Sequence, residues 1–382
     1  MQFIKFFLVG VLRYVCYVFS VFPIKYNKIV FYPENGRYYC NLKYISEYID
    51  KYDESITQVW ILNKNVYDMC GTNNIIVVNR KSIQSFYHLA TSKIVIFNGI
   101  LYPYFCKRNK QIYIETWHGG GAYKKIDAVY KNLKNYFERK RRMRIFHNID
   151  YVISSCEKFS EVFCADTDAY SAKYLTYGMP RNDIFFNRKK MEQARDKVYK
   201  FYRISRNEKI VLYAPTFRDH GFQNILDSVA LLKSLQDRFK NKFVLMLRCH
   251  PHITNSIFTE NDTGNIINAS DYADMQELLC ASDILITDYS SCMWDFSLMY
   301  RPCFIFAPDL EVYKSERDFH TPVNEWPFPF ANTNEKLSEH ILTFNEQAYV
   351  DKVQEHHNKL KSFEDGHATE RVCNLIKRIC SD

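Results

Sequence analysis

Past Lys28 the chain alternates short apolar runs with longer segments of mixed polarity. The runs KIVFYP (28–33), ITQVWIL (56–62), NIIVVN (74–79), KIVIFN (93–98), IYIETW (112–117) and YVISS (151–155) have strand length and are rich in β-branched and aromatic residues. Near-continuous apolar runs of this kind predict strands buried on both faces. The polar segments between them are long enough for crossover helices, so the alternation predicts a parallel sheet covered by helices. A second series follows: KIVLYAP (209–215), KFVLMLRCHP (242–251), NIINAS (265–270), DILITD (283–288) and PCFIFAP (302–308). Between the two series, 187–206 is charged and helix-like with no strand pattern, which makes it the natural boundary.

The expected organisation is an N-terminal apolar helix (1–23), a first domain (24–186), a linker helix (187–208), a second domain (209–349) and a C-terminal helix (350–382). The expected fold class is α/β of GT-B type, with two doubly wound, Rossmann-like domains facing a cleft. Open sheets of this kind bind ligands outside the carboxyl ends of their strands. The polar motifs described below all fall where a predicted strand ends.

The first 23 residues, MQFIKFFLVGVLRYVCYVFSVFP, are strongly apolar, but Lys5 and Arg13 interrupt them. No uncharged run reaches the ~20 residues a membrane span needs. A signal peptide would place its charges before the apolar core. Gln2, Lys5, Arg13 and Ser20 share one side of a helix, leaving a broad apolar face. The pattern predicts a helix lying in a membrane interface; a helix packed on the protein's own core is the alternative.

Composition narrows the class. In 382 residues, 47% hydrophobic and 25% charged content describes a globular chain and excludes a disordered one. None of the 12 cysteines has C-x-x-C spacing, which argues against a zinc site or a disulfide framework. A net charge of +8 suits an anionic membrane surface, a phosphorylated substrate or nucleic acid. The basic segment KNLKNYFERKRRMRIF (131–146) has no accompanying nucleic-acid motif. It reads as a surface for anionic lipid or as a solvated helix face, and no nucleic-acid partner is expected.

Candidate chemistry starts at ETWHGGGAYKK. Three of the chain's 11 glycines, Gly119, Gly120 and Gly121, follow His118, with Lys124 and Lys125 just beyond. Glycines after a strand let the backbone turn sharply and approach a ligand without Cβ atoms in the way, and their N–H groups can line an anion site; a plain tight turn beside a core histidine is the competing reading. In MLRCHPHI, Arg248 and His250 sit at a strand end. In LITDYSSCMWDF, a strand ends at Thr287-Asp288, then Ser290 and Ser291 open a helix that carries Asp295. Serines there can cap the helix or help hold phosphate. YAPTFRD places Arg218 after another strand.

Together, ETWHGGGAYKK, YGMPRND (177–183), YAPTFRD, LRCHP and the run from Asp271 to Tyr313 resemble the CDP-glycerol glycerophosphotransferase family of teichoic-acid and capsule synthesis. The match runs in order from about Ile94 to Phe319 and is most specific from Asp271 onward. The resemblance implies transfer of glycerol phosphate, or a related polyol phosphate, from a CDP-activated donor to a hydroxyl, with release of CMP. It implies a polyprenyl-diphosphate-linked acceptor and a peripheral enzyme on the cytoplasmic membrane face. His118 would be the general base and His250 would bind the donor's phosphates. Ser290 and Ser291, with Arg218 and Arg248, would hold the diphosphate. Thr287, Asp288 and Asp295 would contact the donor or support that loop, and Gly119, Gly120, Gly121 and Lys124 would form the acceptor side. Family members often carry Thr-Pro after the first glycine, where this chain has Gly120-Gly121. No obligatory metal or cofactor is expected; magnesium arriving with the donor is compatible. A nucleotide-sugar glycosyltransferase is the alternative function.

Overall fold

The computed structural model describes residues 2–63, 75–101, 105–126, 145–216, 226–249 and 265–381, with the side chains of 2–8 and 316 set aside. The protein is α/β and builds two parallel sheets. The first holds β1 (Lys25–Tyr32), β2 (Thr57–Leu62), β3 (Ile75–Asn79), β4 (Ser92–Phe97), β5 (Ile112–Glu115), β6 (Tyr151–Ile153) and β7 (Lys173–Leu175). Its strand order is 3-2-1-4-5-6-7, and every pairing is parallel; Val30 of β1, for example, faces Val59 of β2 and Val95 of β4. The second sheet holds β8 (Glu208–Ala214), β9 (Lys242–Leu247), β10 (Ile266–Asn268), β11 (Ile284–Thr287), β12 (Cys303–Phe306) and β13 (Phe330–Ala331), in the order 10-9-8-11-12-13. Both are orders of a doubly wound sheet.

Helices alternate with the strands. They are α1 (Gln2–Val18), α2 (Cys40–Tyr52), α3 (Ile83–Thr91), α4 (Glu157–Thr167), α5 (Arg188–Tyr202), α6 (Ser228–Phe239), α7 (Met275–Ala281), α8 (Cys292–Ser297), α9 (Leu310–Glu316), α10 (Asn334–Leu342), α11 (Glu346–Leu360) and α12 (Ala368–Ser381). The eleven apolar runs all form strands. β7 and β13, of three and two residues, were not expected, because so short a segment carries no readable period and exists only by pairing at a sheet edge.

Contacts divide the chain into two compact units, and the division departs from the expected linear order. One unit is Met1–His118, Ile126–Asp183 and Phe363–Asp382; the other is Gly119–Lys125 and Ile184–Ser362. The expected linker helix, α5, packs as part of the second unit. Its Arg195 forks onto Asp283 at 3.1–3.2 Å, and Asp283 also accepts the N–H of Ile210 on β8. The expected single C-terminal helix is two. Lys361 takes a left-handed φ of 52° and ends α11 inside the second unit. α12 then joins the first unit, where Val372, Leu375 and Ile376 pack with Ile29 and Phe31 of β1 and with Leu42, Ile45 and Ile49 of α2. Asp183 caps α12 by accepting the N–H groups of Ala368 and Thr369 at 3.0 and 2.7 Å.

At the N-terminus, α1 packs on α3. Cys16 is buried, and Phe19 and Phe22 meet Tyr87 edge-on at 6.3 and 5.5 Å. Val11, Tyr14, Tyr17, Val18, Val21 and Phe22 stay exposed. Helical spacing puts 14, 17 and 18 on one face of α1, and Val21 follows in the 3-10 turn Phe19–Val21. Among the described residues, no helix is long and apolar enough to cross a membrane.

Two adjacent histidines are buried in the second unit. His356 Nε2 lies 2.9 Å from the Tyr123 hydroxyl, and His357 Nε2 lies 2.8 Å from Ser297 Oγ. Burial lowers their pKa values to about 3 and about 4, with the neighbouring His357 and Lys359 charges adding to the effect at His356. The unfolded chain therefore takes up protons below pH 6.5 that the folded one refuses. Stability is complete above that pH and falls as the pH drops toward 4, by up to about 1.4 kcal/mol per pH unit for each group. Denaturant titrations at pH 7.5 and 5.0 should show this loss, and it should shrink in His356→Gln and His357→Gln; equal losses in wild type and both variants would refute it.

Candidate active site

In the first sheet the strand order reverses at β1 and β4, the place where open α/β sheets bind ligands. At the carboxyl ends of this region stand Glu34 after β1, Asn98 after β4, and Thr116-Trp117-His118 after β5. His118 Nδ1 lies 2.8 Å from the Asn98 carbonyl oxygen. A carbonyl can only accept, so Nδ1 carries the proton and Nε2 carries the ring's lone pair. The Trp117 indole stacks on the imidazole at 4.6 Å and 26°, and is itself held edge-on by Phe163 at 5.3 Å.

This presentation of the ring requires an unusual backbone. Trp117 has a φ of 51°, in the left-handed region that a bulky residue rarely adopts and that costs on the order of 1–3 kcal/mol. Bonds from sequence-distant residues offset the cost. Asn41 Nδ2 donates to the carbonyls of Thr116 and Trp117 at 3.2 and 3.0 Å. The Trp117 N–H donates to Glu115 Oε1 at 2.7 Å. Arg181, buried, donates from Nη1 to the His118 carbonyl at 2.8 Å and from its backbone to Asn41 Oδ1 at 3.1 Å. Glu115 is fully buried; that burial, with the nearby Glu34 charge, lifts its carboxyl well above the usual range against the pull of the Trp117 and Thr116 N–H groups.

The second sheet reverses between β8 and β11, and most of the expected donor-side residues collect there. Thr287 Oγ1 donates to the Ala214 carbonyl at 2.7 Å, tying β11 to β8. Asp288 accepts the N–H and hydroxyl of Thr216 at 2.9 and 2.6 Å and the N–H of Tyr289. Asp295 accepts from Gln276 Nε2 at 3.0 Å. These three side chains are buried and engaged with the protein; Ser290, Ser291 and Arg248 are partly exposed. Arg248 Nη1 donates to the Tyr272 carbonyl at 2.7 Å. His250 and Arg218 lie outside the described residues, as do 131–144 of the basic segment.

The segment after His118 is threaded into the second unit. Lys125 pairs with Asp318, the His320 N–H donates to the Tyr123 carbonyl at 2.9 Å, and Lys124 forms a bridge with Phe319. The space the glycines leave is filled by protein: a Cβ on Gly120 would lie 2.3 Å from Trp294 Cδ1, and one on Gly121 would lie 2.6 Å from Trp294 Cε3. Trp294 belongs to α8, the helix that Ser291 precedes.

Fold and site thus define an α/β enzyme with a histidine at the switch point of one parallel sheet and a serine-bearing loop at that of the other. The model of the CDP-glycerol:poly(glycerophosphate) glycerophosphotransferase family matches residues 15–378, and the chain belongs to that family. It is 28% identical over 380 residues to a teichoic acid poly(glycerol phosphate) polymerase of Bacillus spizizenii, covering 96% of this chain and 95% of the relative. It is 30% identical over 299 residues to a teichoic acid ribitol-phosphate primase of the same organism, covering 76% of each. A solved structure of the wall teichoic acid polymerase TagF superposes with a TM-score of 0.84 at 26% identity, over 100% of this chain and 97% of that one.

The tight fit at Gly120 has a measurable consequence. Gly120→Ala should lower unfolding stability by about 1–3 kcal/mol, the usual range for overpacking, and the loss should largely disappear when the indole is removed in a Gly120→Ala/Trp294→Leu pair measured against Trp294→Leu. An alanine tolerated at no cost beside Trp294 would contradict the packing.

Proposed function

We propose that the protein transfers glycerol phosphate, or a related polyol phosphate, from a CDP-activated donor to a hydroxyl of a polyprenyl-diphosphate-linked acceptor, releasing CMP. The observation that carries the catalytic assignment is the ring of His118, held by the Asn98 carbonyl so that Nε2 is the basic nitrogen. Nε2 takes the acceptor hydroxyl's proton as that oxygen bonds to the donor's polyol-bearing phosphorus. The bond from this phosphorus to the bridging oxygen breaks, and CMP leaves with the electron pair. An imidazole suits this proton transfer near neutral pH.

Charge on the transferred phosphoryl oxygens and on CMP needs fixed cations and N–H or O–H donors. On this reading Ser290, Ser291 and Arg248 supply part of them, and His250 and Arg218 the rest. Thr287, Asp288 and Asp295 support their loop, and magnesium brought in by the donor is compatible with the scheme. Gly119, Gly120, Gly121 and Lys124 make up the acceptor-side segment. The two parallel sheets and their strand orders support a GT-B architecture. A TagF variant has been solved after soaking with CDPG, and the TagF fold is shared over this whole chain.

The enzyme acts, in this reading, as a peripheral protein at the cytoplasmic face of the membrane, with α1 in the interface. Support comes from the exposed apolar positions Tyr14, Tyr17 and Val18 on one face of α1 and Val21 in the turn that follows. Apolar area of this kind, next to basic residues, binds anionic bilayers.

Two experiments test these assignments. His118→Ala should lower CMP release from CDP-glycerol with a lipid-linked acceptor by at least about 100-fold, on the scale of general-base contributions, with the thermal midpoint unchanged; retained turnover refutes the base assignment, and a parallel assay with CDP-ribitol decides the polyol. The triple variant Tyr14→Ser/Tyr17→Ser/Val21→Ser should lose most of its co-sedimentation with phosphatidylglycerol vesicles. Undiminished binding would place the membrane contact elsewhere.

A further inference from the structure

The loop after β1 brings a carboxylate to the imidazole of His118. Glu34 Oε2 lies 3.5 Å from Nδ1, the nitrogen that also faces the Asn98 carbonyl. The loop is held there by specific bonds. The Glu34 N–H donates to Asn98 Oδ1 at 2.9 Å, so one asparagine positions the histidine through its carbonyl and the glutamate through its side chain. Arg80 bonds the Glu34 carbonyl and donates from Nε to the Tyr32 hydroxyl at 2.8 Å. Gly99 leaves room for the carboxyl group, since a Cβ there would lie 2.7 Å from Glu34 Cδ and Oε2.

We propose that Glu34 is a positioning residue for His118, orienting its ring and holding the imidazolium that forms during transfer. The proposal rests on the assignment of His118 as base. When Nε2 accepts the hydroxyl proton the ring becomes a cation. The proton on Nδ1 stays on Nδ1, bonded to Asn98 and facing Glu34, and no proton passes to the carboxylate. An opposite charge at this distance favours the charged ring. Side chains 40% and 35% exposed keep the effect moderate, because solvent screens the pair.

Other titratable and charged groups among the described residues also stand near the pair. Tyr39 precedes α2 and Cys40 begins it, and Tyr39 feels the Glu34 charge. Arg80 sits on the Glu34 carbonyl, and Arg181 on the carbonyl of His118. Burial and the Glu34 charge raise the Glu115 carboxyl well above the usual range. Among the described residues, Glu34 is a carboxylate that faces Nδ1.

The test compares the full chain with Glu34→Gln, Glu34→Asp and His118→Ala. In Glu34→Gln, kcat should fall about tenfold with donor KM within twofold of wild type. Glu34→Asp, which keeps the charge, should recover part of that loss. A purely structural glutamate would not separate kcat from KM or distinguish Asp from Gln, so an unchanged kcat in Glu34→Gln, with turnover lost in His118→Ala, overturns the proposal alone. Turnover retained in His118→Ala overturns the base assignment first and the proposal with it.

Discussion

The Asn98 carbonyl accepts the Nδ1 proton of His118 across a gap of 2.8 Å, and the role proposed for His118 depends on that contact. It sets which ring nitrogen can receive a proton, and it places that ring at the end of the sheet where the strand order turns. The same residue's side chain holds the Glu34 loop, so a single position after β4 organises both members of the pair. A parallel sheet makes this possible. Its strands all end on one side, so loops far apart in sequence deliver their side chains to one place.

The histidine is held as much through its backbone as through its ring. Asn41 and Arg181 bond the carbonyls of Thr116, Trp117 and His118, and they stabilise the left-handed tryptophan that turns the imidazole outward. The segment that contributes Arg181 has further partners: Asn182 donates to Glu364 at 3.0 Å, and Asp183 caps α12. The C-terminal helix and the imidazole are therefore fastened by neighbouring residues of one short motif, YGMPRND. Losing that motif would loosen the site and the fold of the first unit together.

Much of this was readable in the chain. Eleven apolar runs became strands because continuous burial on both faces of a parallel sheet demands them. His118, the serines and Arg248 fell at strand ends, where such sheets bind ligands. The glycines after His118 read as room for a ligand, and at two of them a protein side chain occupies that room. Gly120 and Gly121 make way for Trp294, more than 170 positions away, and no local pattern carries that information. Glu34 passed unnoticed for a similar reason. A single glutamate in a polar loop has no periodicity or motif to mark it, and its place beside His118 comes from the strand pairing that sets β1 beside β4.

Sequence alone determined the α/β class, the two series of strands and the family, because each is written in local composition, period or motif. Tertiary structure alone decided the rest. It sent α12 back to the first unit and α5 into the second, since an amphipathic helix does not specify which of two apolar surfaces will cover it. It also decided which nitrogen of His118 bears the proton and which carboxylate faces it. Those depend on distances of a few ångströms between residues some 20 to 85 positions apart, which only the packed sheet sets.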